Sequence, residues 1–249
     1  MDKQTDVHAE RRMALLIDGD NARPTLIQKF LNEAGRYGST TIRRIYGDWT
    51  TPNMNGWKGA LNNHAVQPVQ QFRYTVGKNA TDSAMIIDAM DILHSGLASG
   101  FCIVSSDSDY TRLATRIRES GIFVMGIGDE KTPRPFVNAC NIFIYTENLL
   151  EEETSEKKKK VNKTQRKKKQ PDPVAMLKEA YELAAGEDDW AHLGTMGTHL
   201  RQIDPGFDPR TFGYRQLSQL IRAHSEVFQL RQEGNGSGPT PMFVRMKGS

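Results

Sequence analysis

Short apolar runs alternate with stretches of helical periodicity through the first 150 residues, and this alternation limits the fold more than any other feature of the chain. Residues 13–17, 41–46, 66–72, 101–105, 122–127 and 142–145 read as strands. Residues 24–37, 55–64, 82–95, 110–120 and 133–138 read as helices between them, with Pro24 suited to a first helical turn and Gly96, Gly100 and Gly121 closing elements. A strand that is a continuous apolar run is buried on both faces, as in a parallel sheet covered by helices. Strand–helix alternation builds such a sheet through right-handed crossovers. The expected fold of this part is α/β, with a parallel, Rossmann-like sheet.

A change in composition ends that pattern. Residues 151–172 carry nine basic and five acidic side chains, in the runs Lys157-Lys158-Lys159-Lys160 and Arg166-Lys167-Lys168-Lys169, and hold almost nothing apolar. A segment with so little to bury is expected to be a disordered linker. Its lysines, Lys158 and Lys168 among them, are candidates for contacting phosphate, since each neutralised phosphate releases counterions. Beyond it, residues 174–185, 195–203 and 216–225 read as helices, and 227–231 and 241–246 as a hairpin around the Gly-rich stretch 234–238. Three helices and a hairpin make a small winged helix-turn-helix domain, able to bind nucleic acid or a protein.

Acidic residues stand where the strands of the first part end. Asp18 closes the run Leu15-Leu16-Ile17-Asp18-Gly19-Asp20-Asn21, and Asp107 and Asp109 follow the fourth strand in Ser105-Ser106-Asp107-Ser108-Asp109. Asp82 opens a helix after Ala80-Thr81. Ligand sites of open parallel sheets lie beyond the carboxyl ends of the strands. Carboxylates gathered there raise one another's pKa unless a counter-charge is present, and a hard divalent cation supplies it. Asp18, Asp82, Asp107 and Asp109 are therefore the expected ligands, with Asp20, Asn21, Asp88 and Ser106 as a second set; Asp88, six residues past Asp82 and off its face, reads first as structural. Asp20 or Asn21 can instead cap the first helix, Asp109 the fourth, and Asp82 can serve the dipole of its own helix. Lys78, in the loop before Asp82, is a candidate phosphate contact.

Other chemistries lack their residues. Six scattered histidines and two cysteines, Cys102 and Cys140, show no zinc spacing; both cysteines lie in apolar runs and read as buried, reduced thiols of a cytoplasmic protein. There is no phosphate-binding Gly-rich loop, and no run approaches the 18 or so apolar residues of a membrane helix.

The residues 15–21, Asp82 and Ser105-Ser106-Asp107-Ser108-Asp109-Tyr110 resemble the motifs of NYN domains, relatives of PIN-domain ribonucleases. Trp190, Leu193-Gly194, Pro205-Gly206-Phe207-Asp208, Arg210 and Phe212-Gly213-Tyr214 resemble a LOTUS domain, also called OST-HTH. The two resemblances cover residues 11–150 and about 173–247. They imply a PIN-like domain that cleaves RNA with Mg²⁺ or Mn²⁺ held by Asp18, Asp82, Asp107 and Asp109. They also imply a second domain that binds RNA or docks a partner protein; single-stranded RNA is the expected partner.

The alternative reading is a non-catalytic RNA-binding adaptor. Against it, negative charge facing phosphate gains a pure binder nothing. A haloacid-dehalogenase-like phosphatase, suggested by Asp18-Gly19-Asp20, ranks below both because Ala22 stands where that fold has Thr or Val. In the second domain, Leu217, Leu220 and Ile221 are expected in the core, and Trp190 is expected there in preference to a base-stacking platform. The exposed candidates for RNA are Arg201, Arg210, Arg215 and Arg222, the last two seven apart and expected on one helix face.

Overall fold

The computed structural model describes residues 11–72, 80–150, 172–186, 188–233 and 240–248. Lys78, Lys158 and Lys168, and all of the expected linker except its last residue, lie outside the described residues. The chain divides into two compact units, Met1–Leu150 and Glu151–Ser249.

The first unit is a six-stranded parallel sheet. Its strands are β1 (Arg12–Asp18), β2 (Ser39–Gly47), β3 (Gln67–Gln70), β4 (Gly100–Val104), β5 (Phe123–Gly128) and β6 (Ile142–Tyr145). Their order is β3-β2-β1-β4-β5-β6. The chain moves outward from β1 to β3, returns beside β1 as β4, and moves outward again. The reversal places a switch point between β1 and β4, where a crevice opens at the carboxyl edge. Helices cover both faces: α1 (Ile27–Gly35) and α2 (Lys58–His64) on one, α3 (Ala80–Ser95), α4 (Thr111–Glu119) and α5 (Arg134–Ala139) on the other.

Strand parity sorts the core. Ala14 and Leu16 of β1, with Phe101 and Ile103 of β4, pack against α3, α4 and α5. Met13, Leu15, Ile17, Cys102 and Val104 pack against α1 and the 3-10 segment Pro52–Trp57. Successive side chains of a strand point to opposite faces, so Asp18 and Ser105 continue the rows that face α3 and α4. Burying five apolar side chains in β1 alone (Met13, Ala14, Leu15, Leu16 and Ile17) contributes of the order of 1.5–3 kcal/mol for each large one. That fixes the strand whose end presents Asp18.

The second unit has α6 (Val174–Ala184), α7 (Leu193–Ile203) and α8 (Leu217–Ala223), with a three-stranded antiparallel sheet in the order β7-β9-β8. Its strands are β7 (Ala191–His192), β8 (Phe228–Gln232) and β9 (Met242–Met246). The β8–β9 hairpin and three helices fit a winged helix-turn-helix. The added strand β7 has two residues, too few for any periodicity to announce it. Leu177, Ala180, Met196, Leu200, Leu220, Ile221, Phe228 and Val244 form the core, with Leu217 packed at its margin. Among the described residues no helix is long and apolar enough to cross a membrane.

Candidate active site

Three carboxylates meet at the carboxyl edge beside the switch point. Asp82, in the first turn of α3, and Asp107 and Asp109, after β4, can each place one oxygen within 4.8 Å of the others. Asp82 and Asp107 are half-buried and Asp109 is exposed. The Tyr110 hydroxyl donates to Asp82 Oδ1 at 2.7 Å. Asp107 Oδ1 accepts from the Asp109 N–H at 2.9 Å, which holds the 3-10 turn Ser108–Tyr110 and fixes the spacing of the two acids.

Asp18 stands behind this trio, fully buried. Its Oδ2 accepts from Asn21 Nδ2 at 2.5 Å and from Ser105 Oγ at 2.9 Å, and its Oδ1 from the Asp20 N–H at 3.2 Å. Ser105 Oγ in turn accepts from the Asp107 N–H at 3.1 Å. One hydroxyl thus ties the end of β1 to the loop after β4. Thr81 Oγ1 donates to Asp20 Oδ2 at 3.3 Å, tying the start of α3 to the loop after β1.

The electrostatics follow from that crowding. Burial pushes the Asp82 carboxyl above the usual range; the Tyr110 hydroxyl opposes the shift, and the charges of Asp107, Asp109 and Asp20 reinforce it. Burial also raises Asp18, opposed by hydrogen bonds from Asn21 and Ser105 and reinforced by Asp82. Burial raises the Tyr110 phenol, with the charges of Asp18 and Asp82 adding to it, so it remains a donor. Two carboxyls held against ionisation beside two more acids make a donor set short of positive charge. Oxygens within 4.8 Å of one another suit a hard divalent cation, which takes carboxylate ligands at roughly 2.0–2.6 Å.

Several expectations are corrected. Asp107, not Asp109, is the residue that caps, because its own side chain reaches the Asp109 N–H. Neither Asp20 nor Asn21 caps the first helix: the turn Pro24–Leu26 has Arg23 at its cap without a side-chain bond, and Asn21 is spent on Asp18. Ser106 Oγ accepts from the Asp129 N–H at 2.9 Å, which ties it to the loop after β5. Asp88 takes the structural role expected first for it: it pairs with Arg44 and accepts from the Tyr46 hydroxyl, so it fastens α3 to β2.

In the second unit Trp190 lies outside the core. Arg210 is engaged by Asp208 through two nitrogens. Arg215 precedes α8, whose N-cap is Gln216, so it shares no helix face with Arg222; both are exposed. Arg201 is exposed in the last turn of α7.

Sequence reasoning missed Ser105 and Tyr110. Parity was the available signal: 101, 103 and 105 fall on one face of β4, the face of Asp18, whereas 106 falls on the other.

A model of the NYN domain matches residues 12–151, more than half of the chain. The chain belongs to the NYN domain family. NYN domains are members of the PIN-like nuclease superfamily, and the acidic trio of this one lies in the matched region. A model of the OST-HTH/LOTUS domain matches residues 165–240. OST-HTH/LOTUS domains bind RNA and in some cases proteins.

Among solved structures, the chain is similar to a protein of unknown function from Vibrio parahaemolyticus. The two are 17% identical over 56% of this chain and 94% of that one, with a TM-score of 0.46. An uncharacterized protein from Nitrosomonas europaea is 28% identical over 36% of this chain and 91% of that one, with a TM-score of 0.27. No curated protein matches.

Proposed function

We propose that this NYN protein is a divalent-metal-dependent ribonuclease that hydrolyses RNA phosphodiester bonds, with Asp82, Asp107, Asp109 and Asp18 as its acidic site and the OST-HTH/LOTUS unit as an RNA-binding module. The observation that carries this reading is the meeting of three carboxylates within 4.8 Å at the carboxyl edge of the sheet. A surface evolved only to bind RNA has no use for such a cluster, because it repels phosphate.

Bound there, Mg²⁺ or Mn²⁺ supplies the counter-charge, lowers the pKa of a water and steadies charge developing on the phosphate and leaving oxygen. The chain's own groups set the stage. Asp82, Asp107 and Asp109 offer the ligand oxygens, with Asp109, the most exposed, on the side from which RNA enters. The Tyr110 hydroxyl fixes which Asp82 oxygen is left to the cation. Asp18, which accepts from three donors, holds Ser105 and through it the Asp107 backbone. Of Asp82, Asp107 and Asp109, a carboxylate left out of the cation's ligands would accept the proton of the attacking water.

The test is labelled single-stranded RNA incubated with Mg²⁺, with Mn²⁺ or with EDTA. Cleavage should appear in the metal arms and vanish with EDTA. Asp82→Asn and Asp107→Asn should each cut it by at least about a hundredfold, at the upper end of what losing metal support costs, without loss of RNA binding. Cleavage that survives EDTA or both substitutions overturns the reading.

A further inference from the structure

The small sheet of the second unit has one face in the core and one in solvent. On β9, Val244 points inward, opposite Ala191 of β7 and Leu230 of β8. Phe243 therefore points outward, between its register partners His192 and Arg231. The His192 ring stands edge-on to Phe243 with centroids 5.5 Å apart. The Arg231 guanidinium lies 4.3 Å over the Trp190 ring and 5.7 Å from that of Phe243. A row of planar groups results: imidazole, phenyl, guanidinium, indole.

Two features make the row more than packing. Trp190 and Phe243 lie outside the unit's core, although large aromatic side chains ordinarily dominate cores. The turn before Trp190 is also pinned: Asp189 adopts a positive φ of 58°, Tyr181 Oη donates to the Asp189 carbonyl at 2.7 Å, and the Gly186 N–H donates to the Trp190 carbonyl at 3.3 Å. His192 Nδ1 accepts from the Gly194 N–H at 3.2 Å, which leaves Nε2 as the outward donor of the neutral ring. The next outward position of β9 is Arg245, followed by exposed Lys247. Arg231 and Arg245 are paired with Glu233 and Asp189 at 2.5 and 3.5 Å, and all four side chains are 41–55% exposed. Ion pairs so exposed are weak and open to exchange with phosphate.

We infer that the outer face of β7-β9-β8, centred on Trp190, Phe243 and Arg231, is a stacking surface for single-stranded RNA. Bases stack on the rings, while Arg245 and Lys247 meet the backbone. Every base has a π-face, so recognition is tolerant of sequence; paired bases present no free face, so a duplex is excluded. This inference rests on the reading of the second unit as an RNA-binding module and assigns its surface to the sheet rather than to Arg215 and Arg222.

The experiment uses the full chain in EDTA, with single-stranded RNA of about 12 nucleotides, within the usual span of such grooves, carrying photoreactive 4-thiouridine. Crosslinked peptides are mapped and affinity is read by anisotropy. Crosslinks should fall on the peptides that hold Trp190 or Phe243, and a duplex of equal length should compete poorly. Trp190→Ala with Phe243→Ala should abolish those crosslinks and weaken binding about tenfold or more; Trp190→Phe, which keeps a π-face, should retain them. Where the double variant does not melt cooperatively, Arg245→Glu replaces it, and a flatter salt dependence is expected.

Crosslinks confined to the first unit, to residues 151–171 or to the Arg215 and Arg222 peptides overturn the inference, and the sheet face then passes to a protein partner. Cleavage is read separately in Mg²⁺. RNA bound at Trp190 without cleavage sinks the nuclease reading and leaves this one standing; cleavage without crosslinks there does the reverse.

Discussion

A carboxylate that has lost water and gained like-charged neighbours depends on whatever still donates to it, and for Asp82 that group is the Tyr110 hydroxyl at 2.7 Å. Removing the donor leaves the carboxylate in place but free to rotate, and removes the hydrogen bond that opposes its raised pKa. Tyr110→Phe is expected to weaken Mn²⁺ binding, measured by calorimetric titration, and cleavage by about 10–100-fold, the usual cost of losing a group that orients a metal ligand. The ring stays, so the buried contact of Tyr110 with Phe136 (centroids 6.4 Å apart) and the melting transition should change little. Ser105→Ala should behave alike, since it removes one of the two donors to Asp18 Oδ2 and frees the Asp107 N–H. Unchanged metal affinity in both variants would mean that these hydroxyls are only structural. These two residues show where a sequence stops being readable. The carboxylates announce themselves by charge at strand ends, and parity puts Ser105 on the face of Asp18, but the partners of Ser105 and Tyr110 across β1, β4 and α3 are recorded by no local pattern.

At the scale of elements, the approach of β1 to its neighbours sets a tight limit at Gly19. A Cβ there would lie 2.6 Å from Met54 Cε and 2.8 Å from the Tyr46 carbonyl oxygen, the same oxygen that accepts from the Gly19 N–H at 2.9 Å. The thioether can move, but the backbone carbonyl cannot without breaking that bond. Gly19→Ala is expected to cost roughly 1–3 kcal/mol, the usual range for overpacking, in urea unfolding, and to lower cleavage by displacing Asp18 next to it. Stability equal to the parent protein would refute the crowding.

The join between α3 and β2 gives a contrasting case. Asp88→Ala leaves the buried Tyr46 hydroxyl and Arg44 without their acceptor, and should cost about 1–3 kcal/mol while leaving cleavage intact. Loss of activity at unchanged stability would return Asp88 to the site.

Element positions were legible where burial is two-sided, as in β1 and β4, because continuous apolar runs have few other solutions. They were less so at the sheet's edge. Residues 66–72 shrink to Gln67–Gln70, a strand paired among the described residues with β2 alone and containing Pro68, which lacks the N–H a central strand needs. The helix expected at 55–64 begins as the 3-10 segment Pro52–Trp57, whose cohesion comes from Met54 and Trp57 burying under β1 rather than from helical periodicity.

For the whole molecule, the two units differ in what they ask of the solution. The second holds no cluster of acids like that of the first among the described residues, whereas the first gathers carboxyls whose folded pKa values are raised. A carboxyl with a raised folded pKa binds protons more tightly folded than unfolded. Its contribution is present in acid and is lost as pH climbs from the unfolded value, about 3.9 for Asp, through the raised folded value. Without metal, the first unit should therefore lose stability as pH rises through that window toward neutrality.

A divalent cation reverses the trend, since its ligands must be deprotonated and it neutralises their repulsion. At a free concentration of about 100 times Kd, binding to the folded state alone adds about 2.7 kcal/mol. Scanning calorimetry of the full chain should then show two transitions. Mg²⁺ or Mn²⁺ should raise only one, more at neutral pH than near pH 4, and Asp107→Asn should abolish the rise while leaving the other transition where it was. A rise in both transitions would mean the cation acts on the chain at large, and a rise that grows toward acid would mean that these carboxylates do not hold it.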